Sequence, residues 1–266
     1  KNNIKLSQST ITAQQQNQSE FVQSILALLT EQSSGHMERW EYGPSQYVGD
    51  PAGGSYFWAK YIKSTDSYYL LNGEKSLIKE LSGKPSIDIL NKIKTVIELG
   101  PGSKDALNNK TIPFLSTCQN ITSYISIDSE IAHAKSAALQ IQKEMPLLST
   151  NSLAQPFEDL SLDFPRLGPS GIIMWGCTFG NLPGSIGSNP YTLLVESFVR
   201  LNKAIASGDF IFISFDMENN QERILQCYNQ PLLSASFLSP LHRLQRDGLA
   251  SGLFDLYKWT HESIWI

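Results

Sequence analysis

Cysteine is scarce in this chain: Cys118, Cys177 and Cys227 are the only three in 266 residues. They are odd in number and far apart, and no Cys-x-x-Cys or Cys/His spacing occurs. A disulfide framework is therefore excluded and no metal is expected; the default setting is reducing and cytoplasmic. Charged residues are also sparse at 17%, with Lys+Arg 21 against Asp+Glu 25 for a net −4. Lys92 and Lys94 make the densest basic pair, so the electrostatic footprint of a nucleic-acid binder is missing. The longest apolar stretches, such as Phe210 to Phe215, fall far short of the ~20 residues that cross a bilayer. Neither nucleic acid nor membrane is an expected partner. His36, His133, His242 and His261 are scattered and read as surface or packing residues, with no Ser/His/Asp or Cys/His pairing.

What is present falls into three textures. Residues 1–18, rich in Gln, Asn, Ser and Thr, read as a loosely ordered N-terminal arm. Ser19 to Glu31 carries Phe21, Val22, Ile25, Leu26, Leu28 and Leu29 at helical spacing, with Ser19 as N-cap. Between 40 and 73, Trp40, Tyr42, Tyr47, Tyr56, Phe57, Trp58, Tyr61, Tyr68 and Tyr69 crowd among glycines and prolines. Such a segment either covers a core or walls a ligand pocket with aromatic faces.

From Lys94 the chain alternates short β-rich runs with helical stretches. Thr95 to Leu99, Ile121 to Ile127, Gly171 to Trp175 and Asp209 to Phe215 read as strands, and a further strand is possible before Gln155. Ser129 to Lys143 and Tyr191 to Ala206 read as helices, closed by Pro146 and Gly208. Near-continuous apolar strands separated by helices predict an α/β fold: a doubly wound, Rossmann-like parallel sheet with both faces covered.

In such sheets a ligand sits beyond the carboxyl ends of the strands, at the switch point. The first strand ends Glu98-Leu99-Gly100-Pro101-Gly102-Ser103. Gly100 permits a tight turn and Gly102 lets a ligand lie against bare backbone. A dinucleotide fingerprint needs a third glycine where this chain has Asp105, and a P-loop needs a Gly-Lys-Ser/Thr that is absent. Asp128, closing the second strand, is placed either to accept both hydroxyls of a ribose or to cap the next helix. Phe157 and Glu158 offer a ring for adenine and an acid for its amine, or form an ordinary loop. Glycine turn, strand-end acid and Phe-acid pair together fit S-adenosylmethionine, whose sulfonium favours a nearby carboxylate such as Glu98.

Trp175-Gly176-Cys177-Thr178-Phe179-Gly180-Asn181-Leu182 resembles the Gly-Ser-Thr-Ile-Gly-Asn-Phe motif of the histidine Nα-methyltransferases of ergothioneine biosynthesis. Asp50 to Phe57 resembles the family's Tyr-Asp-x-x-Gly-Ser-x-Leu-Phe. Asp66-Ser67-Tyr68-Tyr69 with Glu74 resembles its Pro-Glu-Tyr-Tyr-x-Thr-Arg-x-Glu, and Asp216 with Tyr228 its Asp-Leu-x-Lys segment and the tyrosine beyond. The likeness runs from about residue 47 to 266. It implies a methyltransferase that uses S-adenosylmethionine on the α-amine of an amino acid, histidine or a related small amine. By the same resemblance Asn181 and Tyr68 are catalytic, and they bind substrate with Tyr228 and Asp216. Glu98, Gly100, Pro101, Gly102, Ser103, Asp128, Phe157, Glu158 and Gly176 hold the cofactor.

Three departures qualify the substrate. Gly49 stands where the family has Tyr, with Tyr47 the nearest substitute, and Asn72 stands where it has Arg. The likeness also runs out at Trp265-Ile266, ahead of the strands that in the family bring a Glu and a Ser to imidazole. Other readings stay open: a cofactor-binding protein without turnover, an NAD(P)-dependent Rossmann enzyme against which Asp105 argues, and a nucleic-acid methyltransferase against which the charge argues. The expected layout is a Rossmann-like domain over 76–216. Residues 19–75 and 217–266 form a substrate cap that sets Tyr68 and Tyr228 opposite Asn181.

Overall fold

Thr95-Val96-Ile97-Glu98-Leu99 is buried at every position, as a strand with no polar face must be when both sides of its sheet are covered. A computed structural model describes residues 54–64, 68–81, 87–156, 168–176, 178–181, 205–246 and 258–265, with isolated positions between and Val22 and Ile25 before them. The N-terminal arm, most of the helix expected at Ser19–Glu31, Trp40 through Tyr47, and the Asp50–Gly53 stretch lie outside these residues.

Five strands form the sheet: β1 (Thr95–Leu99), β2 (Ser123–Asp128), β3 (Ser149–Ala154), β4 (Ser170–Met174) and β5 (Phe210–Ile213). Their order is β3-β2-β1-β4-β5. Every pairing is parallel, with Leu99 beside Ile127 and Glu98 beside Ile173. The chain thus runs outward from β1 through β2 to β3, then returns to the other side of β1. That reversal opens a crevice beyond the carboxyl ends of β1 and β4.

Alternation along the strands divides the core. On one face Val96, Tyr124, Ile173 and Trp175 pack with Phe114, Leu115, Ala137 and Ile141. On the other, Ile97, Leu99, Ile125, Ile127, Ile172 and Met174 pack with Leu201 and the partly buried Phe198 and Ile205. Helices therefore cover both faces, and the doubly wound, Rossmann-like α/β class expected from the sequence is the class observed.

The helices described from end to end are α1 (Gly54–Ser64), α2 (Tyr69–Leu81), α3 (Ile87–Leu90), α4 (Lys104–Ala106), α5 (Ile112–Thr117), α6 (Ile131–Glu144), α7 (Gln221–Tyr228), α8 (Pro231–Phe237) and α9 (Ser239–Arg246); further helical positions lie between 195 and 203. A π-helical segment, Leu107–Thr111, joins α4 to α5. Tyr61, Ile62, Tyr68, Leu70, Cys227 and Leu233 make a separate aromatic core. There the Tyr61 hydroxyl donates to the Cys227 carbonyl at 2.6 Å, joining α1 to α7. Among the described residues no helix is long and apolar enough to cross a membrane.

Strand ends differ modestly from expectation. β2 begins at Ser123, not Ile121, and extends to Asp128; β4 begins at Ser170; β5 stops at Ile213. Helix α6 starts at Ile131, after an N-cap at Glu130.

Candidate active site

The turn after β1 is set by two glycines at positive φ, Gly100 at 69° and Gly102 at 72°, a region side chains with a Cβ rarely occupy. Gly100 N–H donates to the Ile127 carbonyl at 2.9 Å, which fastens this turn to the end of β2. Pro101 between them is buried. Ser103 follows as a cap, its hydroxyl accepting from Ala106 N–H at 3.3 Å, so a capped helix start faces the strand ends. Asp105, at the position where a dinucleotide site needs glycine, lies inside α4 and approaches the exposed Lys63 at 3.7 Å.

Asp128 stands at the same edge, half-buried at the last position of β2. Its Oδ1 accepts from Glu130 N–H at 2.9 Å. The α6 cap is Glu130, so Asp128 braces the turn before the helix instead of capping it. Burial, followed by the Asp128 charge, pushes the Glu130 carboxyl up to about 7 against the opposing charge of Arg243.

β4 ends at Met174 and is followed by Trp175 and then Gly176, whose φ is +64°. Beneath Gly176 lies a polar node on the helix-covered face. The carboxylate of Glu74, buried on α2, accepts through Oε1 from Gly176 N–H and from the Ser214 hydroxyl. Its Oε2 accepts from Lys110 Nζ at 3.0 Å. Ser214, just past β5, also accepts from Gly176 N–H at 2.9 Å. A Cβ at Gly176 would stand 3.6 Å from Lys110 Nζ and 3.9 Å from the Tyr68 hydroxyl.

Glu98 departs from its expected place beside a sulfonium. It is 1% exposed, and its two oxygens accept from Thr111 Oγ1 at 2.7 Å and Tyr124 Oη at 2.6 Å. Burial raises its carboxyl to about 7, against the lowering effect of both hydroxyls and of Lys110. Strand alternation is the physical reason: Glu98 shares a face with Val96, so it enters the helix-covered layer while Leu99 takes the other side.

Tyr68 belongs to the aromatic core of α1, α7 and α8, and the partly buried Tyr228 packs against the same core. Tyr68 is 5% exposed and sits edge-on to Trp58 and Tyr61. Of the bulky aromatics, Tyr69 is the one that meets Asp216: its hydroxyl donates to Oδ2 at 2.5 Å. Burial and this bond hold the Tyr69 phenol well above its ordinary range, and Arg223 lies 4.4 Å from its ring centre. Asp216 also accepts from Glu218 N–H at 2.9 Å, whereas α7 is capped by Asn220. The backbone of Asn181 closes a 3-10 turn, Phe179–Asn181, five residues beyond Gly176. Phe157, Glu158, Cys177 and the side chain of Asn181 lie outside the described residues.

The node's members escaped sequence reasoning for identifiable reasons. Glu74 was visible only as a motif letter. A lone Lys110 in a helical stretch reads as solvated, and only the π turn aims it inward together with its neighbour Thr111. Ser214 looked like an ordinary strand residue, as did Tyr124, the partner of Glu98 outside the node.

Comparison with known proteins follows from this geometry. The sequence profile of a family described as histidine-specific methyltransferase, SAM-dependent, matches residues 21–266. No curated protein matches the chain significantly. Among solved structures, a candidate methyltransferase from Thermobifida fusca YX is similar at 14% identity and a TM-score of 0.39, over 65% of this chain. The chain spans 64% of that protein.

Proposed function

The chain belongs to the histidine-specific, S-adenosylmethionine-dependent methyltransferase family, and from that membership we propose that it methylates the α-amine of an amino acid, histidine or a related small amine. The observation that carries this reading is the convergence of three features at one sheet edge. They are the Gly100–Gly102 turn, the Asp128 carboxylate and the Gly176 turn, all beyond the carboxyl ends of adjacent parallel strands.

These residues fit the family's cofactor. Bare backbone at Gly102 admits a flat nucleoside closely. A carboxylate at the end of β2 suits a pair of ribose hydroxyls. Among the described residues no basic cradle for a pyrophosphate is built at this edge, and S-adenosylmethionine has no pyrophosphate to hold. When bound, it supplies a methyl group already activated by positive sulfur. The electrophile therefore needs no further activation by the protein. The chain's task is to hold an uncharged amine with the lone pair aimed inward and to keep water out.

In this reading Asn181 and Tyr68 orient the amine through their oxygen atoms, and Tyr228 and Asp216 hold the rest of the acceptor. Phe157 and Glu158 take the adenine, a role that rests on their residue types and their place after β3 in the sequence. Helices α1, α7, α8 and α9, with the first half of α2, serve as the cap over residues 76–216. Tyrosine and tryptophan faces in that cap suit a methylated ammonium product. The test is mass spectrometry of amino-acid pools incubated with the protein and S-adenosylmethionine. Gain of one or more methyl masses on an α-amine supports the reading, and cofactor binding without any methylated product contradicts it.

A further inference from the structure

Outside the residues given a role above, the buried node at Gly176 gathers more structure than any other polar cluster described. Glu74 comes from α2, Lys110 from the π turn after β1, Ser214 from the end of β5 and Gly176 from the end of β4. Glu74 is 3% exposed and Lys110 8%. A buried ion pair rarely adds net stability over a well-packed apolar one, because desolvation offsets most of the attraction. What it does impose is geometry, since each lone pair and each proton must meet a specific partner.

Here the partner that matters is a backbone N–H. Gly176 is the last fixed point before Thr178 to Asn181. The carboxylate grips its amide and, through Ser214, holds β4 and β5 in register at the same place. We propose that Glu74 is a positioning residue: its carboxylate, aimed by Lys110, sets the Gly176 turn and so the segment that carries Asn181. The importance assigned to Asn181 rests on the methyl-transfer reading, whereas the tie between Glu74 and Gly176 does not.

The chemistry distinguishes this role from simple packing. In Glu74→Gln one amide hydrogen must confront either the ammonium of Lys110 or the N–H of Gly176, because a carboxamide cannot accept on both sides. Lys110→Met alone strands a buried carboxylate. In the double variant the amide oxygen can face Gly176 and Ser214 while its NH2 faces the thioether. The double variant should therefore recover what each single variant loses.

Trp-Gly occurs once in the sequence, at Trp175-Gly176. Carbonyl-labelled tryptophan with nitrogen-labelled glycine thus isolates the Gly176 amide as one cross-peak in the full-length chain. Expected is a downfield Gly176 proton in the wild type that moves upfield in Glu74→Gln and returns toward its original position in Glu74→Gln/Lys110→Met. With S-adenosylmethionine and L-histidine as probes, kcat falls about 100-fold in the single variant, as a small misplacement near the reacting groups allows. Cofactor affinity falls with it, because the Gly176 turn belongs to the cofactor edge, and both properties return toward the wild type in the double variant. An unmoved Gly176 cross-peak in Glu74→Gln, or a double variant as displaced as the sum of the singles, overturns the proposal. If the wild type methylates no histidine, the substrate reading fails while the amide signal still decides the role of Glu74.

Discussion

At the scale of single residues, the cofactor assignment depends most on Asp128. A charged group that accepts hydroxyl hydrogen bonds contributes roughly 1.5–3 kcal/mol, so Asp128→Ala should weaken S-adenosylmethionine binding at least about tenfold by calorimetry. Unchanged affinity would remove the ribose role. Asn181→Ala should leave that affinity nearly intact while suppressing transfer; a parallel loss of both would make Asn181 structural. Glu98 belongs to the same scale but to a different quantity. Burial lifts its carboxyl from 4.5 to about 7, so the folded chain holds the proton more tightly than the unfolded chain does. Its stabilising contribution is complete below about 4.5 and is lost as pH rises through about 7. Glu98→Gln cannot titrate. Denaturation between pH 4.5 and 7 should therefore show the wild type losing stability relative to the variant, by at most about 3 kcal/mol. A difference independent of pH would contradict the raised carboxyl.

Among the elements, the segment from Lys104 to Thr117 carries the sharpest expectation. Its π turn, Leu107–Thr111, inserts one extra residue into a helical path. With it, Lys110 and Thr111 both face inward, toward Glu74 and Glu98. Deleting the exposed Asn108 would regularise the helix with its two flanks still in register, so that Lys110 and Thr111 can no longer both face inward. One of the two buried contacts, to Glu74 or to Glu98, is then lost. Breaking a buried pair costs about 3–5 kcal/mol, so a clear drop in melting temperature is expected, and an unchanged melting temperature would show the π turn to be dispensable. Elements also mark the limit of what the sequence discloses. β1, β2, β4 and β5 announced themselves through apolar runs that only a covered parallel sheet tolerates. β3, Ser-Thr-Asn-Ser-Leu-Ala, lies at the sheet edge with alternating exposure and lacks that signal, so it was only suspected. The π turn has no compositional signature. For the same reason Glu98 was expected beside a cofactor: its neighbours in sequence are visible, but the side of the strand it takes depends on register.

For the molecule as a whole, topology explains why so much of the site could be read from motifs. A parallel sheet ordered β3-β2-β1-β4-β5 brings the ends of β1, β2 and β4 to one edge. Glycine turns and terminal acids far apart in sequence must then meet. Tyr68 and Tyr228 pack on one aromatic core for another reason: α1 packs on α8, and the Tyr61 hydroxyl bonds to the Cys227 carbonyl, which no local pattern encodes. The buried node at Gly176 ties α2 to the sheet edge through Glu74. The central claim is that an adenosyl sulfonium nucleoside occupies the crevice between the Gly100 turn and Asp128. A crystal structure with S-adenosylhomocysteine tests it most directly. The result expected is a ribose whose hydroxyls bond to the Asp128 carboxylate, with the nucleoside lying against Gly102. Density for the nucleoside anywhere other than this strand edge, with no ribose hydroxyl bonded to Asp128, would contradict it.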